Sequence, residues 1–591
     1  MTAHQVLIQY QDRLRELQEG ITQLRFPYAL SAGILVIAIA VFLALGIYAV
    51  RGQLSILWPF LPIPVAAASA RSLLRHRQSR SRMWRLTRYY RRAIERVNWA
   101  RPGVAGDEFS DADHVYTRDL DVFGRGSLFE LLCSSRTSIG RRGLAGYLLQ
   151  APALEETWLR QEAVRELRGR VDLREKIATL GEFDFAESKW STFEDWLNSP
   201  KLPFARPLPV MLAITSGLLA GLVLAGLDHA VPWSRIEMWI GILIALHAGV
   251  GLLFRSRVNR MMEWLRPVGA ETRVLREGLE VLAGEQFQSA KLRGLAEQVR
   301  NGSASLRKLE RLLGGLSQRD KEWFFIPSRA LMLGTQLCIA IEQWRREHGE
   351  ALKGWIESWA EFEALSALAA YGYENPENVF PEVSSGEACF EARELAHPLL
   401  ARATCVANDI ELNRTSRFYV ISGSNMSGKS TLLRAIGLNA VLAFAGAPVR
   451  ARSLRLSNLS IFASIAMTDS LLNGKSKFLA EVDRLRMAIE AAANRPVLFL
   501  VDEIFSGTNS RDRRIAAEAV VRTLVNRGAI GALSTHDLAL AEIAGAETNG
   551  VNVHMGSRAE HDPMDFDYRL KAGVNQEANA LAIARMAGVP V

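Results

Sequence analysis

Between residues 423 and 431 the chain reads Gly423, Ser424, Asn425, Met426, Ser427, Gly428, Lys429, Ser430, Thr431. The spacing is G-x-x-x-x-G-K-[ST], and each fixed position has a chemical reason. The glycines let the backbone curl until its N–H groups face phosphate oxygens, and the N-terminus of a following helix adds favourable dipole charge. Lys429 is placed to reach β- and γ-phosphates, and the Ser430 hydroxyl to bind Mg²⁺. A chance match in a Gly/Ser-rich loop is the competing explanation. The flanks argue against it, because the run Phe418–Ser422 reads as a strand and Thr431–Ala445 as a helix.

A second group of residues complements that loop. Val497–Val501 is uniformly apolar, the pattern of a strand buried on both faces. It delivers Asp502 and Glu503 at its C-terminal end, where ligands bind in open α/β sheets. Asp502 is expected to hold Mg²⁺, mostly through water, and Glu503 to orient or deprotonate an attacking water. His536 follows a third apolar run, Ala529–Leu533. There it is placed to sense a γ-phosphate, although a lone histidine can equally be structural.

These residues need a scaffold of parallel strands and helices. After the turn-rich linker Pro376–Gly386, short β-rich runs do alternate with helical segments. The pattern predicts a nucleotide-binding α/β domain, a P-loop NTPase, over 386–591. Upstream, Phe26–Val50 has no charged residue and is long enough to cross a bilayer, which takes ~20 apolar helical residues. Gly52–Ala70 is a second uncharged run whose Pro59, Pro62 and Pro64 predict a kinked return limb. A signal peptide is a poor fit: the run is long, starts after residue 25 and lacks a small-residue cleavage pattern. Pro207–Leu227 and Met238–Phe254, the latter containing His247, form a second pair of candidate spans. Trp323–Ile341 is interrupted by Pro327 and Arg329 and reads as buried helix.

The resulting organisation is multidomain: an amphipathic helix (1–25), a transmembrane helical hairpin (26–70), a helical core-like region (71–206), a second hairpin (207–254), a helical lever region with the linker (255–385) and the α/β domain. In the first helix Leu7, Tyr10, Leu14, Leu17, Ile21 and Leu24 form a heptad stripe. Arginines crowd residues 71–92, with no acid among them, and Arg255, Arg257 and Arg260 follow the fourth span. By the positive-inside rule both clusters face the cytoplasm. This predicts a multi-pass protein of the inner or plasma membrane, with both termini and the α/β domain cytoplasmic. The clusters are read first as topology signals and headgroup contacts, with nucleic acid as the alternative partner. A net charge of +8 is compatible with either, and 49% hydrophobic content excludes a disordered chain. Four cysteines without a C-x-x-C pair argue against a zinc site or disulfide framework.

Several motifs go beyond a generic phosphate loop. Residues 423–431 resemble the MutS-family G-P-N-M-[GS]-G-K-S-T, with Ser424 in place of proline. Asp502-Glu503 with Gly507, Thr508 and Asn509 resembles the family's D-E-x-x-x-G-T-S, and Ser534-Thr535-His536 matches its T-H element. Gly474, Ser476, Phe478 and Glu481 resemble G-x-S-T-F-x-x-E, with Lys477 replacing threonine. Phe566, Tyr568, Gly573 and Ala587-Gly588-Val589-Pro590 resemble its closing elements. Weaker likeness extends to Asp119–Gly124, Gly126–Phe129, Thr137–Gly140 and His397-Pro398.

The resemblance implies an ABC-type, MutS-like ATPase that uses ATP and Mg²⁺. It also implies a dimer, here a homodimer, in which Ser476 reaches across to the γ-phosphate held by the partner's loop. Two departures are equally informative. The place of the family's N-terminal mismatch-reading domain is taken by the first hairpin and the arginine cluster. The second hairpin stands where MutS inserts its DNA clamp. Phe185-Ala186-Glu187 and Phe380-Pro381-Glu382 mimic the mismatch wedge F-x-E by chance. Two functions stay open: an ATPase coupled to mismatched or branched DNA near a lipid bilayer, and a membrane mechanochemical or scaffold ATPase that does not bind DNA.

Overall fold

The computed structural model describes residues 2–55, 57–100, 103–111, 113–181, 190–200, 207–265, 268–318, 325–424, 426–465, 477–505, 509–545, 547–559 and 562–575. In chain order α1 (Ala3–Gln23) runs through Leu24 into α2 (Arg25–Val50), and the chain returns as α3 (Ile63–Val97). Five helices follow: α4 (Leu128–Leu132), α5 (Ser138–Leu149), α6 (Leu154–Arg168), α7 (Val171–Ala178) and α8 (Trp190–Asn198). A second apolar pair, α9 (Leu208–Leu227) and α10 (Trp233–Leu265), leads into α11 (Val268–Gly284), α12 (Ala290–Val299), α13 (Gly302–Gln318) and α14 (Phe325–Ala330). The long α15 (Leu333–Glu374) ends just before the linker.

Two compact units interleave along the chain. One comprises 1–134, 144–179 and 364–591, the other 135–143 and 180–363. They do not follow the linear segments read from the sequence, because α5 and α15 each pass from one unit into the other.

In the first unit, the strands and helices of the α/β part are β1 (Glu382–Ser384), β2 (Phe390–Leu395), β3 (Asn408–Leu412), β4 (Phe418–Ser422), α16 (Lys429–Ala445), β5 (Ser453–Ser457) and β6 (Ser460–Ser464). They continue as α17 (Lys477–Ala491), β7 (Val497–Asp502), α18 (Ser510–Asn526), β8 (Ile530–Thr535), β9 (Gly550–His554), β10 (Ser557–Ala559), β11 (Asp562–Phe566) and β12 (Lys571–Ala572). The main sheet has the order β12-β9-β4-β8-β7-β6, parallel except for β12. Its central strands are continuous apolar runs because both faces are covered. Phe418, Val420, Phe499, Val501 and Leu533 pack with Val521 and Leu524 of α18 and Leu485 of α17. A smaller sheet, β1-β5-β2-β3, and the pair β10-β11 complete the domain.

Residues far upstream are built into this domain. The Val115 carbonyl accepts from Ala463 N at 3.0 Å, extending the edge strand β6. Asp119, 1% exposed, accepts from Ile465 N at 2.7 Å and from Arg484 of α17 at 2.6 Å. Leu120 fills the space beside Gly437 of α16, where a Cβ would stand 2.6 Å from its side chain.

The N-terminal hairpin belongs to the same unit. The stripe on α1 finds its partner in α3: Val6, Tyr10 and Leu17 pack with Leu86, Tyr90 and Ala93. Ser31 and Ser72 hydroxyls meet at 3.1 Å, fixing the antiparallel register of α2 against α3. At the base, Glu175 accepts from Arg13 and from the Tyr90 hydroxyl at 3.0 and 2.7 Å. Arg96 makes a bidentate, buried pair with Glu374 at 3.0 and 2.6 Å. The expected second span, Gly52–Ala70, is corrected. Its prolines hold the chain in an irregular tip and the short turn Trp58–Phe60, and only Ile63–Ala70 is apolar helix before Arg71. Among the described residues three helices are long and apolar enough to cross a membrane: Ala3–Val50, Leu208–Leu227 and Trp233–Leu265.

In the second unit α9 and α10 form an antiparallel pair. Trp323–Ile341 is not one helix over its described part: α14 stops at Ala330 and α15 begins at Leu333, with Met332 at φ 50°. The break leaves carbonyls at the end of α14 that must find donors. His247 Nδ1 reaches the Ala330 oxygen at 2.8 Å, and Ser216 and Gln336 reach the Leu331 oxygen at 3.0 and 2.8 Å. The polar residue in the fourth candidate span thus caps a broken helix. Elsewhere in this unit the buried Glu363 carboxylate accepts from the N–H groups of Arg136 and Thr137 at the start of α5.

Candidate nucleotide site

The site lies at the C-terminal ends of three neighbouring parallel strands. Register places Ser422 of β4 beside Thr535 of β8, and Ser534 of β8 beside Asp502 of β7. The loop at 423–428 joins β4 to α16, which starts at Lys429. Two of its glycines are required by geometry. Gly423 has φ 154°, and a Cβ there would stand 2.4 Å from the Met555 oxygen. Gly428 has φ 101°, and its Cβ would stand 3.0 Å from the Tyr568 ring. Backbone of this kind excludes other side chains and lets the loop close tightly.

Lys429 is 5% exposed, and its ammonium donates to the Gly423 and Ser424 carbonyls at 2.8 and 2.9 Å. An ammonium has three donors, so one stays available at the loop mouth. Burial pulls the Lys429 pKa below the ordinary lysine value, and the nearby charges of Asp502 and Glu503 oppose that pull. Ser430 and Ser534 each donate to one oxygen of Asp502. Glu503 Oε1 and His536 Nδ1 are 3.1 Å apart, both partly exposed at the rim. Glu503 and Phe505 both take positive φ, 54° each. That strain is held by Glu503 N bonding the Ser534 carbonyl and Phe505 N bonding the buried Glu481 at 2.6 Å.

The structure therefore brings together Gly423, Ser424, Ser427, Gly428, Lys429, Ser430, Asp502, Glu503 and His536. Met426 is also on the loop, 73% exposed, and Thr431 is exposed in the first turn of α16. Asn425 and Ser476 lie outside the described residues. Sequence reasoning gave no role to Ser534, Glu481, Tyr568 or Asp119. Each stands within a motif quoted above, but its task depends on which strand or loop is its neighbour. The residues fit a triphosphate with a divalent cation. The buried hydroxyls of Ser424 and Ser427 have no hydrogen-bond partner among the described residues, and Ser430 with Asp502 offers hard oxygen ligands of the kind Mg²⁺ takes beside phosphate.

Residues 419–591 match the family profile of MutS domain V. The chain is 32% identical over 252 residues to the DNA mismatch repair protein MutS of Thermotoga maritima, covering 42% of this chain and 31% of that protein. It is 30% identical over 284 residues to DNA mismatch repair protein MutS 2 of Halobacterium salinarum, covering 46% and 32%. For the MutS of Thermus caldophilus the figures are 29% over 281 residues, 46% and 33%. The chain spans about a third of the length of these curated relatives, and its match to the family profile lies in its C-terminal part.

Proposed function

We propose that this protein is a membrane-anchored ATP hydrolase whose MutS-like domain works as a dimer and whose cycle is coupled to DNA. The observation that carries the reading is the meeting of Ser430 and Asp502 beside the Lys429 loop, with Glu503 and His536 at its rim. Loop N–H groups and Lys429 bind and orient the triphosphate. Ser430 and Asp502 would hold Mg²⁺, which when bound would supply positive charge against the phosphate oxygens. Glu503 orients the attacking water and draws its proton, and His536 fixes the Glu503 carboxylate and senses the γ-phosphate. Ser476 completes the site of the partner copy, so that nucleotide closes two chains on each other. Ser534 is a positioning residue, holding the Asp502 oxygen that Ser430 leaves free.

The membrane part of the proposal rests on surface chemistry. Among its described residues α2 buries only Ser31 and Ala38, and Phe26, Val36, Ile37, Leu43 and Val50 are 58–90% exposed. A helix apolar all round needs lipid or protein on every side. The bilayer is that of the cell's inner or plasma membrane, with the ATPase domain on the cytoplasmic side. Coupling to DNA is supported by what the relatives are named for and by the basic charge. The second reading, a mechanochemical or scaffold ATPase without DNA, is favoured by apolar hairpins at both places where MutS holds mismatched DNA. Nucleotide binding by the purified, detergent-solubilised protein tests the core of the proposal. Lys429→Ala should abolish Mg²⁺-ATP binding seen with wild type; equal affinity in both proteins would remove the loop from the account.

A further inference from the structure

Asp119, Arg484 and Glu481 take no part in the proposed reaction, yet they form a chain of contacts that leads to Glu503. The segment 115–121 runs beside the edge strand β6. The Val115 carbonyl accepts from Ala463 N at 3.0 Å. Asp119 divides its carboxylate: Oδ1 accepts from Ile465 N at 2.7 Å, and Oδ2 from Arg484 Nη2 at 2.6 Å. Arg484 belongs to α17, and the same Nη2 reaches the Ala463 and Val115 carbonyls at 2.8 and 3.3 Å. One guanidinium and one buried carboxylate thereby set the height and rotation of α17 against β6. The contact of Asp119 with α16 is of another kind: its backbone carbonyl accepts from Arg434 at 2.9 Å. A change of side chain at 119 leaves that acceptor in place.

Glu481 stands close to one helical turn before Arg484, so what fixes one places the other. Its buried carboxylate accepts from Phe505 N at 2.6 Å. Phe505 and Glu503 both have φ 54°, backbone that residues with side chains keep only when their surroundings hold it. Two bonds do the holding: Glu503 N to the Ser534 carbonyl at 3.1 Å, and Phe505 N to Glu481. If α17 shifts, Glu481 releases Phe505 and the turn at 503–505 relaxes towards ordinary backbone. The Glu503 carboxylate then leaves the position in which it meets His536 at 3.1 Å.

We infer that Asp119 is a positioning residue for hydrolysis, acting on Glu503 through Arg484, Glu481 and the Phe505 amide. The inference rests on the ATP-hydrolysing reading and places part of that site's control in a segment far upstream of the α/β part. The test measures ATP turnover by the full-length, detergent-solubilised protein with Mg²⁺, at a temperature where every variant is folded. Asp119→Asn can keep the bond from Ile465 N but turns its amide N–H groups towards Arg484, donor against donor. It should lower kcat by between about tenfold and a hundredfold and change KM less than about twofold. In a Glu503→Gln background no carboxylate is left to position, so Asp119→Asn should change the residual rate less than about twofold. A residue that only stabilises the fold would give neither result. Arg484→Lys keeps the charge but gives up the three-way contact, and it should show a smaller fall in kcat at unchanged KM; it carries the test if Asp119→Asn does not fold. Undiminished kcat in either variant, with wild type hydrolysing ATP, overturns the inference alone. A rise in KM as large as the fall in kcat, or an equal loss in the Glu503→Gln background, does the same. Absence of hydrolysis by wild type overturns the hydrolytic reading and this inference with it.

Discussion

The buried pair Arg96–Glu374 makes the sharpest energetic prediction. Its side chains are 6% and 3% exposed, and both guanidinium contacts are short, 3.0 and 2.6 Å. The partners are 278 residues apart in sequence and join the end of α3 to the end of α15. Removing one member leaves an uncompensated charge in a site that water does not reach, a loss of about 3–5 kcal/mol. Removing both in favour of apolar groups of similar volume is close to neutral. Arg96→Met and Glu374→Leu should therefore each lower the melting temperature by roughly 6–10 °C, and the double variant should recover most of that. The assay is a double-mutant cycle by thermal unfolding of the detergent-solubilised protein. Single variants that each lose under about 1 kcal/mol, or a double variant as unstable as the sum of the two, would refute the claim that this pair is dry and mutually compensating.

Three further outcomes follow from other parts of the molecule. Burial pushes the Glu363 carboxyl up to about 7, against its hydrogen bonds with Thr137 and Arg136. The folded state then holds a proton that the unfolded state releases near the ordinary value of 4.5. Its contribution is fully present below about 4.5 and lost as pH rises towards 7, about 3 kcal/mol in all; Glu363→Gln should flatten that part of a stability-versus-pH curve. Gly428→Ala forces a side chain into left-handed backbone against Tyr568, at about 1–3 kcal/mol. It should lower the melting temperature modestly and weaken nucleotide binding at least about tenfold, read by titration at a temperature where both proteins are folded. His247→Leu leaves the Ala330 carbonyl without its donor at about 1–3 kcal/mol, which thermal unfolding in detergent should register and His247→Asn should partly restore.

Much of the geometry of the candidate site was legible because its signals are local. Phe418–Ser422 and Val497–Val501 are short apolar runs that form strands of the main sheet and lead into the Lys429 loop and Asp502. The helices α2, α9 and α10 were legible for a similar reason, as long runs with few or no charges. What the pattern could not give is what each face meets. The stripe on α1 showed an apolar side but not that α3 covers it. Pro59, Pro62 and Pro64 showed a kink but not that helix resumes only at Ile63. Asp119 and Ser534 carry no local mark of their work, because their partners, Arg484 and Asp502, are 365 and 32 residues away. The interleaved units have the same origin: α15 is one continuous helix, and nothing in the residue pattern along it tells where one body ends and the next begins.

The central claim, that Glu503 completes a hydrolytic site which closes two chains on each other, is tested most directly by one variant. Glu503→Gln keeps the shape of the side chain and removes its ability to take a proton. With Mg²⁺-ATP the variant should bind nucleotide as wild type does, turn over at least about a hundredfold more slowly, and accumulate as a dimer in light scattering. Wild-type turnover by the Gln protein, or a monomer with ATP fully bound, would contradict the account.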